Sequence, residues 1–230
     1  MRAIMNWSGG KDATLALYKL LQQGHYEVPY LFTTVSSPQD RITMHGVRQE
    51  LLQLQAESIG IELRQLSLPS SNEMETYNQL MQQQMQQFTT EDIYYSIFGD
   101  IYLQDLRTYR EQQLQKVGMQ GVFPLWQLPT TALLNEFLAL GFRAVVVCVN
   151  AKYLDESHLG QVIDQKWIAS LLPEVDICGE NGEFHTFVFD GPLFDFPIDF
   201  RLGEIVTKDY GNGEKTNYDS KFHFIDLEVA

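Results

Sequence analysis

A chain of 230 residues with 44% hydrophobic and 20% charged residues has enough apolar material for one large packed domain or two smaller ones. Its formal net charge is −14, from 16 Lys and Arg against 30 Asp and Glu, which argues against a polyanion binder of the usual basic-faced kind, so no nucleic-acid partner is expected. The two cysteines, Cys148 and Cys178, lie too far apart in sequence for a thiol metal motif or a disulfide framework. No apolar run is long enough to span a bilayer and the N-terminus shows no leader pattern, so a cytoplasmic protein with no membrane partner is expected.

Apolar periodicity predicts a strand over 2–7, a helix over 12–23, a strand over 29–35 and a helix over 47–59. A strand follows over 62–68, then a glutamine-rich helix over 73–88, where Tyr77, Met81, Met85 and Phe88 recur at helical spacing. The alternation continues with a strand over 93–98, a helix over 103–117, a strand over 121–125, a helix over 131–140 and a strongly apolar strand over 143–149. Such alternation argues for an α/β fold with a parallel sheet covered by helices on both faces. After about Asn150 the pattern changes to a helix over 161–171 and strands over 185–190, 203–210 and 222–229, with Asn212-Gly213 as a hairpin turn between the last two. The core-facing side of the last strand is ambiguous. The expected organisation is a nucleotide domain over 1–150 and a smaller mixed α+β substrate domain over 151–230.

Ser8-Gly9-Gly10-Lys11-Asp12 lies between the first strand and the first helix. Unpaired N–H groups at a helix start, two glycines without a Cβ, a hydroxyl and an ammonium together suit a phosphate group. The alternative is a strand-to-helix turn in which the glycines serve geometry alone. The pattern is not that of a Walker loop; its short length fits a pyrophosphate. Mg²⁺ is expected beside ATP in so acidic a chain.

In an open parallel sheet ligands bind where the strand order reverses. If the first and fourth strands are neighbours, Gly99-Asp100 faces the same crevice, with Asp100 a candidate for Mg²⁺ or ribose contact, or else a helix cap. Arg107 reads first as a helix-surface charge, with a phosphate contact as the sharper alternative, and His45, in a loop on the same sheet edge, reads as an exposed histidine or a site residue. The segment 176–186 gathers Asp176, Glu180, Asn181, Glu183, His185 and Thr186 around turn-forming glycines, dense enough in polar groups to hold a metal, ammonia or a substrate carboxylate. Exposed aromatics among Tyr94, Tyr95, Tyr102 and Tyr109 are candidates for a homodimer contact, with core packing as the alternative.

Ser8-Gly9-Gly10-Lys11-Asp12, Phe98-Gly99-Asp100-Ile101 with Asp105-Leu106-Arg107, and Cys178-Gly179-Glu180-Asn181-Gly182-Glu183-Phe184-His185-Thr186 together resemble the diphthine–ammonia ligase family, a branch of the PP-loop ATP pyrophosphatases in the adenine-nucleotide alpha-hydrolase superfamily. The resemblance runs to about Phe194. It implies a HUP-type ATP-binding sheet and a C-terminal domain that closes the site. It also implies adenylation of a carboxylate with release of pyrophosphate, followed by amide formation with ammonia or an amine. On it, Ser8, Gly9, Gly10, Lys11 and Asp12 hold pyrophosphate and metal, with Gly99 and Asp100 also at the nucleotide. Lys11, Glu180 and Glu183 are the catalytic set, His45, Arg107, Asn181, His185 and Thr186 contact substrate, and Asp12 and Asp100 ligate Mg²⁺. Ala13 stands where many PP-loops carry serine. The segments 43–48 and 123–126 look like the bacterial version of the family, for which the resemblance implies an acceptor other than diphthine. The competing readings are a PP-loop tRNA-modifying enzyme and a non-enzymatic ATP sensor.

Overall fold

The computed structural model describes residues 1–36, 41–42, 46–69, 74–210 and 221–230, the side chains of Ser36, Arg41 and Ile42 excepted. His45 and the Asn212-Gly213 turn lie outside the described residues.

In chain order the described elements are β1 (Arg2–Asn6), α1 (Lys11–Gln23), β2 (Glu27–Ser36), β3 (Arg41–Ile42), α2 (Gln49–Ile59), β4 (Glu62–Leu68), α3 (Met74–Thr90), β5 (Tyr95–Ile97), α4 (Gln104–Gln115), β6 (Gln120–Val122) and α5 (Thr130–Ala139). There follow β7 (Arg143–Asn150), a short 3₁₀ turn (Glu156–His158), α6 (Gln165–Ala169), β8 (Phe184–Asp190), β9 (Phe200–Asp209) and β10 (Lys221–Val229).

β4, β2, β1, β5 and β6 lie side by side in that order, all parallel. β3 adds a short antiparallel pairing to Val35 and Ser36, beyond Phe32, where the pairing of β2 with β1 ends. Side chains alternate across this sheet. Ala3 and Met5 pack with Leu15, Leu17, Leu51 and Leu52 of α1 and α2, while Ile4 packs with Met85, Phe88 and Leu114 of α3 and α4. The helix spacing of apolar residues and the strand period of two thus place two helices on each face. Gly24 and Gly60, both left-handed, end α1 and α2.

The second sheet is antiparallel, in the order β8-β7-β10-β9. Its core is continuous with that around α1, α2 and α5. Polar ties join these elements. Ser58 Oγ donates to the Phe196 carbonyl at 2.6 Å and accepts from Phe196 N at 3.0 Å. Lys19 meets Glu136 at 2.6 Å, and Arg48 meets Asp226 at 2.6 Å.

The α/β architecture agrees with the sequence reading, but two local expectations need correction. The strand over 143–149 forms, yet as β7 it pairs antiparallel with β8 and β10 and is not a further strand of the parallel sheet. A continuous apolar run does not distinguish a buried parallel strand from a buried central antiparallel one. The helix over 161–171 shrinks to Gln165–Ala169, because Ile163 N is donated to the Ala144 carbonyl and Asp164 caps the helix through Trp167 N. β10 keeps its alternation: Ile225 and Leu227 join the core, while Phe224 on the other face is buried with its ring against Gly46, so both sides of the strand are covered and the extra residue of the register shift lies on β9.

Candidate functional site

The chain leaves β1 through α1 towards β2 on one side and returns through α3 to β5 on the other. The carboxyl ends of β1 and β5 therefore flank the point where strand order reverses. The conditional neighbourhood of the first and fourth predicted strands holds: Ala3, Ile4 and Met5 pair with Tyr95, Ser96 and Ile97. A cleft of about 930 Å³ opens there, bounded by the loop after β1, the loop after β5, the inner faces of α3 and α4, and the segment leading into β8.

Gly9 adopts φ +75°, and a Cβ there would lie 2.7 Å from Gln55 Oε1. Its carbonyl accepts from Val188 N at 2.8 Å and from Gln55 Nε2 at 3.1 Å. Gln55 also donates to the Val188 carbonyl at 2.6 Å and accepts from Trp7 Nε1 at 2.9 Å. One buried amide thus fixes the loop to β1 and to the second sheet. Gly10 N is donated to Ser8 Oγ at 3.3 Å, and Lys11 N to Thr186 Oγ1 at 3.1 Å. Gly99 sits against the start of α1, where a Cβ would be 2.8 Å from Ala13 N and from the Asp12 carbonyl carbon. Its lack of a side chain lets the two loops meet.

Lys11 is only 4% exposed. Its Nζ donates to Asp12 Oδ2 at 2.7 Å and to the Cys178 carbonyl. Burial works against the ammonium charge, but Asp12, with Glu180 further off, more than offsets it and raises its pKa. Burial pushes the Asp12 carboxyl up, against the pull of Lys11, and Asp176 adds to the rise. Asp100 is likewise raised by burial, with Arg110 opposing and Asp12 reinforcing. Asp100 Oδ1 accepts from Arg110 Nη2 at 3.2 Å. Glu180 Oε1 accepts from Ile101 N at 2.7 Å and Tyr102 N at 3.2 Å, tying the β8 approach to the β5 loop. Burial, with Asp12 and Asp100 adding to it, lifts Glu180 to about 7. Burial and then the Lys11 charge lower His185 to about 4, so its ring is neutral near pH 7.

Ser8, Gly10, Lys11, Asp12, Gly99 and Asp100 line one cleft, together with Glu180, Asn181, His185 and Thr186. Gly9 does not line the cleft, its carbonyl being taken by Val188 N and Gln55, and two further predicted site residues are also placed otherwise. Glu183 is 1% exposed and accepts from Asp176 N at 3.0 Å, Asn181 N at 2.9 Å and Asn181 Nδ2 at 3.0 Å, so it shapes the loop from within. Arg107 pairs with Glu111 at 2.8 Å and lies over the rings of Phe123 and Trp126, on the outer side of α4. Asp100 does not cap α4, whose N-cap is Leu103. Gln55 and Arg110 were missed. A glutamine among Leu51, Leu52 and Ala56 on the apolar face of α2 was the available signal for the first; Arg110, among the many charges of α4, gave none.

Residues 1–121 match the sequence model of the diphthamide synthase N-terminal domain, and residues 129–217 that of the diphthamide synthase C-terminal domain. A diphthine–ammonia ligase of Bos taurus is 26% identical over 90% of this chain and 85% of its own. That of Homo sapiens is 27% identical, with the same two coverages. That of Saccharomyces cerevisiae is 26% identical over 84% of this chain but 33% of its own length. A solved structure, the U34-tRNA thiolase NcsA from Methanococcus maripaludis with its [4Fe-4S] cluster, matches 61% of this chain and 57% of that one at 18% identity and a TM-score of 0.37, too loose a likeness to bear on activity. Two domain models matched in order along the chain, the first over more than half of it, settle the assignment: the chain belongs to the diphthamide synthase family.

Proposed function

We propose that this protein is an ATP-dependent, AMP-forming carbon–nitrogen ligase that turns a carboxylate into its amide with ammonia. The observation that carries the reading is the single cleft in which the first turn of α1, Lys11 and the carboxylates of Asp12, Asp100 and Glu180 face one another at the switch point. The name shared by relatives in animals and yeasts supports a ligase over a sensor or a tRNA-modifying enzyme.

A carboxylate oxygen attacks the α-phosphorus of ATP, the bond to the bridging oxygen breaks, and pyrophosphate leaves with that electron pair. Ammonia then attacks the acyl carbon of the acyl-adenylate; AMP departs and one proton is released. The N-terminal turn of α1 and Lys11 stabilise charge on the departing pyrophosphate. Glu180, near 7, takes the proton from the attacking nitrogen. Asn181, His185 and Thr186 line the acyl side. Glu183 acts by holding that loop in shape.

Among the described residues no group of three or more His, Cys, Asp or Glu is arranged to hold a metal ion alone. Mg²⁺ is commonly held by one or two carboxylates plus substrate phosphates. Asp12 and Asp100 fit that demand, since both line the cleft, burial raises both carboxyls, Asp12 adds to the rise of Asp100, and a cation would relieve both. Mg²⁺ held by these two carboxylates would supply neutralisation of phosphate charge.

An ATP-binding unit that ends nearer residues 121–129 than Asn150 is supported by the place of β7 in the second sheet and by the extents of the two matched domain models. Among the described residues no helix is long and apolar enough to cross a membrane, and a cytoplasmic setting, where ATP is available, fits the reaction.

Incubation with ATP, Mg²⁺, ammonium and a panel of carboxylates is expected to yield AMP and pyrophosphate in equal amounts. ADP and phosphate as the only products would overturn the reading.

A further inference from the structure

The cleft is larger than its phosphate end requires, and its two ends differ in chemistry. The inner end is polar. The outer lobe lies between α3 and α4 over Phe32 and Phe98. Both helices carry an apolar stripe that is only partly used. Of the α3 series Tyr77, Met81, Met85 and Phe88, only the last two are buried. On α4 only Leu114 is buried, while Leu106, 36% exposed, lines the lobe. The helices meet at Tyr109, whose hydroxyl donates to Asn78 Oδ1 and lies 4.0 Å from Met74 Sδ, while Met81 of α3 and Leu106 of α4 line the lobe. Two amphipathic helices ordinarily close on each other to remove such stripes from water.

The charge in this lobe is already engaged. Arg110 pairs with Asp100 and lies 4.3 Å from the Phe98 ring centroid, which places it where the lobe joins the phosphate end. The inner end holds Asp12, Asp100 and Glu180 against Lys11 and Arg110. Lys11 is paired with Asp12 and Arg110 with Asp100, so three carboxylates face two cations that are already engaged, and no further cation of this lining is left to pair with a second substrate carboxylate. Methionine walls adapt to varied apolar shapes. A volume of about 930 Å³ is near the top of the ligand-pocket range of roughly 300–1,000 Å³. It leaves room for a second reactant beside the nucleotide.

We propose that the lobe between α3 and α4 is the acceptor subsite, and that it selects a monocarboxylic acid with an aryl or medium-length alkyl body and excludes di- and tricarboxylates. The single carboxylate points inward past Arg110 towards the α-phosphate, and the apolar body lies between Met81 and Leu106. This rests on the ligase reading for the direction of the carboxylate, but not for the existence of the lobe.

The test uses the full chain saturated with Mg²⁺ and a non-hydrolysable ATP analogue, titrated calorimetrically with 3-phenylpropionate, hexanoate and succinate. Wild type is expected to bind the first two and not succinate. Met81→Glu, and independently Leu106→Glu at the more exposed rim, are expected to weaken 3-phenylpropionate at least tenfold while the affinity for the ATP analogue stays within threefold. Failure of both monocarboxylates to bind, equal binding in the variants, or succinate binding as tightly overturns the proposal. So does a matching loss of nucleotide affinity, which would make the lobe the adenine pocket. If 3-phenylpropionate binds as expected but ATP with any carboxylate and ammonium gives no AMP, the lobe stands and the ligase reading falls.

Discussion

Glu180 spends one carboxylate oxygen on two backbone N–H groups of the β5 loop and still has its pKa lifted to about 7 by burial, with Asp12 and Asp100 adding to the lift. As the base that receives a proton from the amine, it must be ionised, so kcat/KM is expected to rise as pH passes through about 7. Glu180→Gln should abolish that rise and lower kcat by roughly a hundredfold, read from pyrophosphate release. Stability follows the opposite course. A folded pKa above the ordinary 4.5 means that the contribution is complete below that value and is lost as pH climbs through about 7. With allowance for partial exposure, Glu180→Gln should recover about 1 kcal/mol between pH 5 and 8, measured by chemical denaturation at both pH values. His185 runs the other way: its pKa of about 4 lies below the free value of 6.5, so its contribution is present above 6.5 and lost as pH falls through about 4. Lys11→Ala removes a buried cation between Asp12 and the Cys178 carbonyl. ATP affinity should fall at least tenfold by calorimetry, and unchanged affinity would remove the phosphates from this loop.

At the level of elements, the junction between the β1 loop, α2 and β8 depends on Gln55. Gln55→Leu keeps the volume but strands Trp7 Nε1 and removes one of the two donors to the Gly9 carbonyl. A loss of about 2–4 kcal/mol is expected from urea denaturation, with ATP affinity falling in step. Gly99→Ala tests the approach of β5 to α1. The added methyl meets backbone, not a flexible side-chain tip, so a cost of about 2–3 kcal/mol is expected in the same measurement. Much of this level could be read from the residues. The alternation of strands and helices over 2–140, the Ser8-to-Asp12 loop and the Cys178-to-Thr186 segment all carry local signals, in apolar period or turn glycines. What could not be read depends on pairing across long sequence separations. β7 resembles a parallel strand until β8 and β10 are placed beside it. Glu183 resembles an active-site acid until its oxygens are found bound to Asp176 N and Asn181 N. Arg107 and Arg110 lie three residues apart on one helix, and only the helix's orientation separates the surface clamp from the residue at the cleft.

Across the whole molecule, a charge of −14 acts on an anionic substrate before any contact is made. The association rate of MgATP is expected to increase severalfold as salt rises from about 20 to about 200 mM, because screening weakens repulsion over distances near the Debye length of about 10 Å. Stopped-flow binding would show it, and a rate that fell with salt would reveal a local positive funnel. The Arg48–Asp226 pair, partly exposed and linking the start of α2 to β10, should contribute less than about 1 kcal/mol. The bond from Val188 N to the Gly9 carbonyl has a different kind of consequence. Its hydrogen joins the second sheet to the loop expected to hold the phosphates, so it is exposed to solvent only when the two layers part. In heavy water that single amide becomes a clock for the breathing of the interface. Nucleotide bound at the loop should slow the clock without touching Val188 itself.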